Sequence, residues 1–412
     1  MSDEALQEAK LAEYHQLRIV ERLRQQFYAQ PDPSASVELA EMLAQAEEEL
    51  HRLEEGRRGK EQAEGRGVLL TVSDERERTG GIKLGPATTG VDAQVLLRQS
   101  HVPTGIVHLL DAERTPLVTF HVKYVGDKYV RLRLTSIVEG YSAHAMDTVE
   151  LFPDESAEKS QLPTFFPDRL HAVTELTRVT LHIRIDDLDR KTELERTFPI
   201  WLLARTSAYI GVEDPSTGGW LDLSPYFAAW VTPNAPAVME LLRRAADLHP
   251  DRQIAGYQVG PEGVAEQVKA IFNVLKAEEI VYVNSVLSFG ATKGEYMQRV
   301  RLPRESLESK SANCIDGTVL MASVLEAASL NPGLVIVPGH AFLAWETQRG
   351  NGQWDYLETT MISAHDFEVA NKAGKAQAKR QRALAERLKD SRYFQLHALA
   401  DLRTNRGITP ME

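Results

Sequence analysis

The chain has a single cysteine, Cys314, among 412 residues. An internal disulfide is therefore excluded, which fits a reducing compartment, and the expected location is the cytoplasm. No stretch approaches the roughly 18 to 20 apolar residues of a membrane span. The start, Met1-Ser2-Asp3-Glu4, lacks the basic-then-apolar order of a secretory signal. Positive charge is scarce: 47 Lys and Arg stand against 59 Asp and Glu, a formal net charge of −12. Phosphate contacts need clustered Lys and Arg, so neither nucleic acid nor a membrane is an expected partner. What is present, 43% hydrophobic and 26% charged residues, is the composition of a folded globular protein. Its length exceeds one ordinary core, and two or three domains are expected.

Residues 1–65 read as a helical hairpin. Leu11, Tyr14, Leu17, Val20, Leu23 and Phe27 stripe the first helix, which Pro31-Asp32-Pro33 ends. In the second, Leu39, Leu43, Ala46, Leu50 and Leu53 alternate steps of four and three, the seam of a helix packed on another helix. So small a hairpin needs cover. It is either a module for a protein partner or self-association, or an arm folded back on its own chain. Residues 66–104, rich in glycine and charge, read as a linker with at most a short strand at 68–72.

From 105 to 223 apolar and polar residues alternate. Val118 to Tyr124 and Tyr129 to Leu134 flank Gly126-Asp127-Lys128, a hairpin signal, and the stretch reads as a β-sandwich. His121 and His182 fall mid-strand beside Lys123 and Arg184, which places them on a polar outer face rather than in a metal site. Residues 224–412 mix helices and strands, with Asn234 as a candidate cap for a helix beginning near 235. The fold class is α+β: an N-terminal helical hairpin, a β-sandwich, then a mixed α and β domain over 224–412.

Chemistry concentrates in that last part. Cys314 opens an apolar helical run from Ile315 to Ser329, where unpaired N–H groups and the helix dipole favour thiolate. Asn313 or Ser311 would cap the helix. Asp316 in the first turn opposes a thiolate and should point to a backbone or basic partner. His340 follows Pro338-Gly339 at the start of an apolar strand. Gly350-Asn351-Gly352 then reads as a hairpin loop that returns the next strand beside it. That strand delivers a carboxylate to the imidazole, as in a thiol–imidazole–acid triad. Two acids compete, Glu358 and Asp355. Their spacing of three puts them on opposite faces, and the register favours Glu358. A second oxyanion donor, beside the Cys314 N–H, would come from Tyr282, Asn284 or Tyr296. Arg299, Arg301 and Arg304 line a substrate entrance or a solvated face.

Asn313-Cys314-Ile315-Asp316-Gly317-Thr318, then Gly339-His340-Ala341-Phe342, then Leu357-Glu358-Thr359-Thr360 resemble the transglutaminase-like cysteine peptidase superfamily over roughly residues 255–362. The resemblance implies a papain-like α+β core with Cys314 as nucleophile, His340 as general base and acid, and Glu358 as orienting acid. The family usually has Asp where this chain has Glu358, and Pro where it has Thr359. It also implies acyl-thioester chemistry on amides. The sequence has no acidic loop with calcium-site spacing, so no metal and no cofactor are expected. The leading expectation is a cysteine protease or amidase acting on a protein or peptide. The alternatives are a protein-glutamine acyltransferase, or a catalytically silent scaffold that binds a partner through residues 1–65.

Overall fold

The computed structural model describes residues 90–189, 192–213, 220–283 and 295–411, together with 82–83 and scattered positions within 12–26 and 42–53. The protein is mixed α and β, with helices and several separate sheets.

Two sheets face each other across one core. A four-stranded sheet runs in the order Ile82–Lys83, Val91–Leu97, Val118–Tyr124, Ser156–Gln161. A five-stranded sheet runs in the order His101–Val102, Thr192–Leu202, Thr177–Asp187, Val130–Val138, Ala145–Leu151. Alternation decides which side chains enter. Phe120, Val122 and Tyr124 from one sheet meet Leu132, Leu134, Leu181 and Ile183 from the other in a single buried cluster, while Arg131 and Arg133 face water. Each such aliphatic side chain contributes about 1.5–3 kcal/mol by leaving water. His121 and His182 lie on the outer side, His121 Nδ1 at 3.2 Å from Glu158 and His182 Nε2 at 3.1 Å from Glu139.

The sheets begin earlier than the expected boundary at 105. Val91, Ala93 and Val95 are buried, and Val91–Leu97 pairs along its length with Val118–Tyr124. The stretch expected as a linker over 66–104 is therefore strand from Val91, its alternation obscured by the flanking glycines and charges. The suggested strand at 68–72 lies outside the described residues. Pairing also crosses the boundary expected at 223: Ser207–Glu213 pairs with Trp220–Asp222 on one side and Glu295–Arg299 on the other. That three-stranded sheet joins the end of one expected domain to the middle of the next.

The remaining core is built around the helix Cys314–Ala327, whose residues from Ile315 to Leu325 are all buried. A helix apolar on every side belongs inside. One face packs against a four-stranded antiparallel sheet ordered Trp354–Leu357, His340–Glu346, Pro332–Val337, Gln395–Ala398. Leu334, Ala341, Leu343 and Trp345 of that sheet join the helix in the largest cluster. The sheet's other face, with Val335, Phe342 and Tyr356, meets Ala378 of the long helix Phe367–Leu388. Gly374 brings that helix close: a Cβ there would lie 2.6 Å from the Leu357 N. The helix Pro236–Leu248 starts on Ala235 with Pro236 in its first position, so Asn234 is not its cap.

At the N-terminus, the described positions within 12–26 and 42–53 are helical. Val20, Leu23, Leu43, Ala46 and Leu50 cluster together, and Gln16 donates to the Ala46 carbonyl at 2.8 Å. Glu48 lies 3.4 Å from Arg387 of the long helix, a contact with the chain's own body.

Candidate active site

Cys314 is the first residue of its helix, half-buried, with Asn313 as the cap. Asn313 Oδ1 accepts the Asp316 N–H at 2.8 Å, and Asp316 Oδ2 accepts the Asn313 N–H at 3.1 Å. This reciprocal box fixes the first turn and uses the Asp316 N–H, so the early N–H groups of Cys314 and Ile315 face outward from the helix end. Asp316 is 1% exposed, and it points to both kinds of partner its sequence position demands. Its Oδ1 accepts the Arg301 N–H at 2.7 Å, and the Arg301 guanidinium lies 3.3 Å from Oδ2. Burial pushes the Asp316 carboxyl pKa up, while these donors and the arginine charge restrain it. Arg301 thus belongs to the buried support of the helix start rather than to an entrance. Arg299 offers its carbonyl to Asn313 Nδ2 at 3.2 Å.

His340 enters from a two-residue turn. Val337 and His340 are paired across Pro338-Gly339, and Gly339 takes φ +65°, a conformation that favours glycine. The imidazole Nε2 lies 2.8 Å from Glu358 Oε2. Cys314 acts on the ring as well, since its side chain raises the His340 pKa. With Nε2 engaged by the acid, Nδ1 is the nitrogen left for sulfur. Burial disfavours the imidazolium, but the Glu358 charge and the hydrogen bonds to Cys314 and Glu358 outweigh it, raising the His340 pKa to about 9.

Glu358 is fully buried. The ladder ends at Leu343 opposite Leu357, so Glu358 stands just past the strand, as cap of the short turn Thr359–Met361. Its Oε1 accepts from the Thr360 hydroxyl at 2.7 Å and the Thr360 N–H at 3.2 Å. Its own N–H donates to the Ala370 carbonyl of the long helix at 3.1 Å. Burial opposes the carboxylate, yet the His340 charge and these donors hold its pKa below the usual range. Asp355, the competing acid, faces away: Lys375 Nζ lies at 3.0 Å and Asn371 Nδ2 donates at 3.1 Å. Of the two acids, Glu358 is the one within reach of His340.

Two threonines of the motifs had no role assigned from the sequence. Thr318 and Thr359 donate to the Cys314 carbonyl at 2.7 and 3.4 Å, and their hydroxyls are 3.1 Å apart. The acid's segment is thereby fastened to the nucleophile's turn. Among the proposed oxyanion donors, Tyr282 sits on a short strand paired with Ser311–Ala312, immediately before the cap. Tyr296 packs its ring 5.2 Å from Trp220 in the three-stranded sheet, and Asn284 lies outside the described residues. Among the described residues, no group of three or more His, Cys, Asp or Glu is placed to hold a metal.

A second cluster went unforeseen. Ser224 Oγ lies 2.7 Å from His397 Nε2 and 2.6 Å from Asp222 Oδ1. Gln395 Nε2 donates to Asp222 Oδ2 at 2.8 Å. The hydroxyl has one proton. If it goes to the carboxylate, His397 Nε2–H must be the donor to Ser224. Ser224 is fully buried.

No protein-family model matches the chain, and no curated protein matches it. Among solved structures it is similar to the crystal structure of a FixG-related protein from Vibrio parahaemolyticus, at 12% identity and a TM-score of 0.20. That match covers 27% of this chain and 96% of the other.

Proposed function

We propose that the protein is a transglutaminase-like cysteine hydrolase that cleaves amide bonds in a protein or peptide through a thioester on Cys314. The observation that carries this is His340 held at 2.8 Å by a buried, fully hydrogen-bonded Glu358, with the half-buried Cys314 near enough to raise the ring's pKa. A solvated polar trio would not need the acid's second oxygen satisfied or its backbone pinned.

Cys314 Sγ attacks the carbonyl carbon as its proton passes to His340 Nδ1. The Cys314 N–H at the helix start faces the oxygen that becomes negative. His340 then protonates the leaving amine nitrogen as the C–N bond breaks, leaving an acyl-thioester. Water attacks that thioester, giving its proton to His340, and the acid product leaves with Sγ restored. Glu358 acts on the ring alone, holding Nε2–H and stabilising the imidazolium.

The test is alkylation of the full chain by iodoacetamide near neutral pH, followed by mass at Cys314, with and without His340→Ala. Fast modification that slows at least roughly tenfold in the variant is the expected result. Equal, slow modification of both proteins overturns the nucleophile. Digestion of casein in the presence of a labelled amine then separates the products: cleavage is expected, and amine incorporation without cleavage would mean acyl transfer.

A further inference from the structure

An open cleft of about 770 Å³ lies at the other end of the cysteine helix from the thiol. A rise of about 1.5 Å per residue over the helix puts it roughly 20 Å from Cys314. Its volume falls in the range of small-molecule sites, about 300–1,000 Å³. Met239 and Leu242, Ile254, and Ala327-Ala328 give it an aliphatic wall, and Met239 is 46% exposed. Tyr257 fixes a second wall: its hydroxyl donates to the Glu346 carbonyl at 2.9 Å and accepts the Asn331 N–H at 2.8 Å.

The charge of the cleft runs against that of the chain. Its lining holds Arg243 and Arg349 and no Asp or Glu, in a protein of formal charge −12. Arg243 is already paired with Glu240 and Asp247. Arg349 has no carboxylate partner among the described residues, and its guanidinium carbon lies 5.7 Å from the Tyr257 ring centroid. That places one uncommitted guanidinium fork beside an aliphatic wall.

We propose that this cleft binds an aliphatic monocarboxylate, its chain against Met239, Leu242 and Ile254 and its carboxylate on Arg349. One fork matches one planar carboxylate in bidentate fashion, whereas a dianion would need a second free cation. The lining aliphatics favour an alkyl chain, since the cleft's aromatic ring is already taken by Arg349. The site is independent of the thiol chemistry.

Titration calorimetry of the full chain with decanoate, below the concentration at which it self-associates, tests this. Saturable binding to one site is expected, unchanged in Cys314→Ala and absent with decylamine, which has the same chain and the opposite charge. Arg349→Ala should weaken binding roughly tenfold or more, the value of a charge-assisted bond. Ala246→Trp, at a half-exposed wall position, should fill the cleft and abolish binding while the melting transition is retained. No saturable binding, equal affinity in Arg349→Ala, decylamine bound as tightly as decanoate, or full affinity in folded Ala246→Trp would each overturn the proposal.

Discussion

Two clusters in this chain combine a nucleophilic side chain, an imidazole and a carboxylate, and they are wired differently. At Cys314 the imidazole is the middle member, its pKa raised by Cys314 and its Nε2 held by the Glu358 carboxylate at 2.8 Å. At Ser224 the nucleophile itself is the middle member: the carboxylate of Asp222 takes the hydroxyl, and His397 meets the same oxygen. In the first arrangement the acid supports a base that can accept a proton. In the second the acid consumes the hydroxyl's only proton and leaves the imidazole as a donor. Exposure follows the same division, since Cys314 is half-buried and Ser224 fully buried. The residue types are nearly alike, and the order of the contacts separates the proposed nucleophile from a clamp between two sheets.

The largest expected effects attack the contrast directly. Cys314→Ala should abolish peptide cleavage, and His340→Ala should lower it by about 10²–10⁴-fold, the range for a positioned acid–base group. Ser224→Ala should leave Cys314 alkylation and cleavage as in the wild type. A comparable loss of cleavage in Ser224→Ala would dissolve the distinction. Next in size is Glu358→Gln. The amide would present its NH₂ either to Thr360 N–H or to His340 Nε2–H, so one donor faces another. With the charge removed, the His340 pKa should fall from about 9 toward its ordinary value. Cleavage should drop on the order of 10²-fold, and NMR titration of the ring would read the pKa itself.

On stability the ranking reverses. Ser224→Ala removes a buried hydroxyl between Asp222 and His397 and leaves His397 Nε2 without its partner, a loss of about 1–3 kcal/mol in urea denaturation. A change within a few tenths would mean that the clamp holds nothing.

What the sequence could reveal of these clusters depended on chain distance. Cys314, His340 and Glu358 fall close together in the chain, and the turns that set His340 and Glu358 are written in Pro338-Gly339 and Gly350-Asn351-Gly352. Ser224 and His397 are 173 residues apart, and no local pattern pairs them. The same holds for the sheet joining Ser207–Glu213 to Glu295–Arg299, which crosses an expected domain boundary. Glu358 was legible through register as the carboxylate beside His340, but its placement past the strand and its tie to Thr360 were not. Those follow from the turn after Leu357 and from the long helix closing on Gly374.

The two histidines should also titrate on opposite sides of neutrality. Burial lowers the His397 pKa, with Arg406 adding to it and Asp222 opposing. Below an unfolded value of about 6.5, the unfolded chain binds a proton that the folded site resists, so stability falls as pH drops. His340 is the reverse: its contribution is complete below about 6.5 and is lost as pH rises through about 9. Urea midpoints against pH should therefore lose their alkaline decline in His340→Gln and part of their acid decline in His397→Gln. Glu358, held low, affects only more acidic conditions. The same alkaline slope in His340→Gln as in the wild type would count against the ion pair with Glu358.

The smallest change probes how tightly the reactive cluster is built. Gly317 lies in the second half of the first turn and is buried against Thr359. A Cβ there would meet the Thr359 Cβ and Oγ1 at 3.5 Å, an ordinary contact that displaces nothing. Alanine in place of glycine within a helix gains roughly 0.5–1 kcal/mol by restricting the unfolded chain. Gly317→Ala should then raise the urea midpoint slightly and leave Cys314 alkylation within about twofold, since a few tenths of a kcal/mol at the barrier is no more than that. A tenfold loss of alkylation with stability intact would show that Thr359, through its bond to the Cys314 carbonyl, sets the thiol's position far more finely than ordinary packing does. No such sensitivity is expected at Ser224, where the buried hydroxyl is engaged by Asp222 and His397.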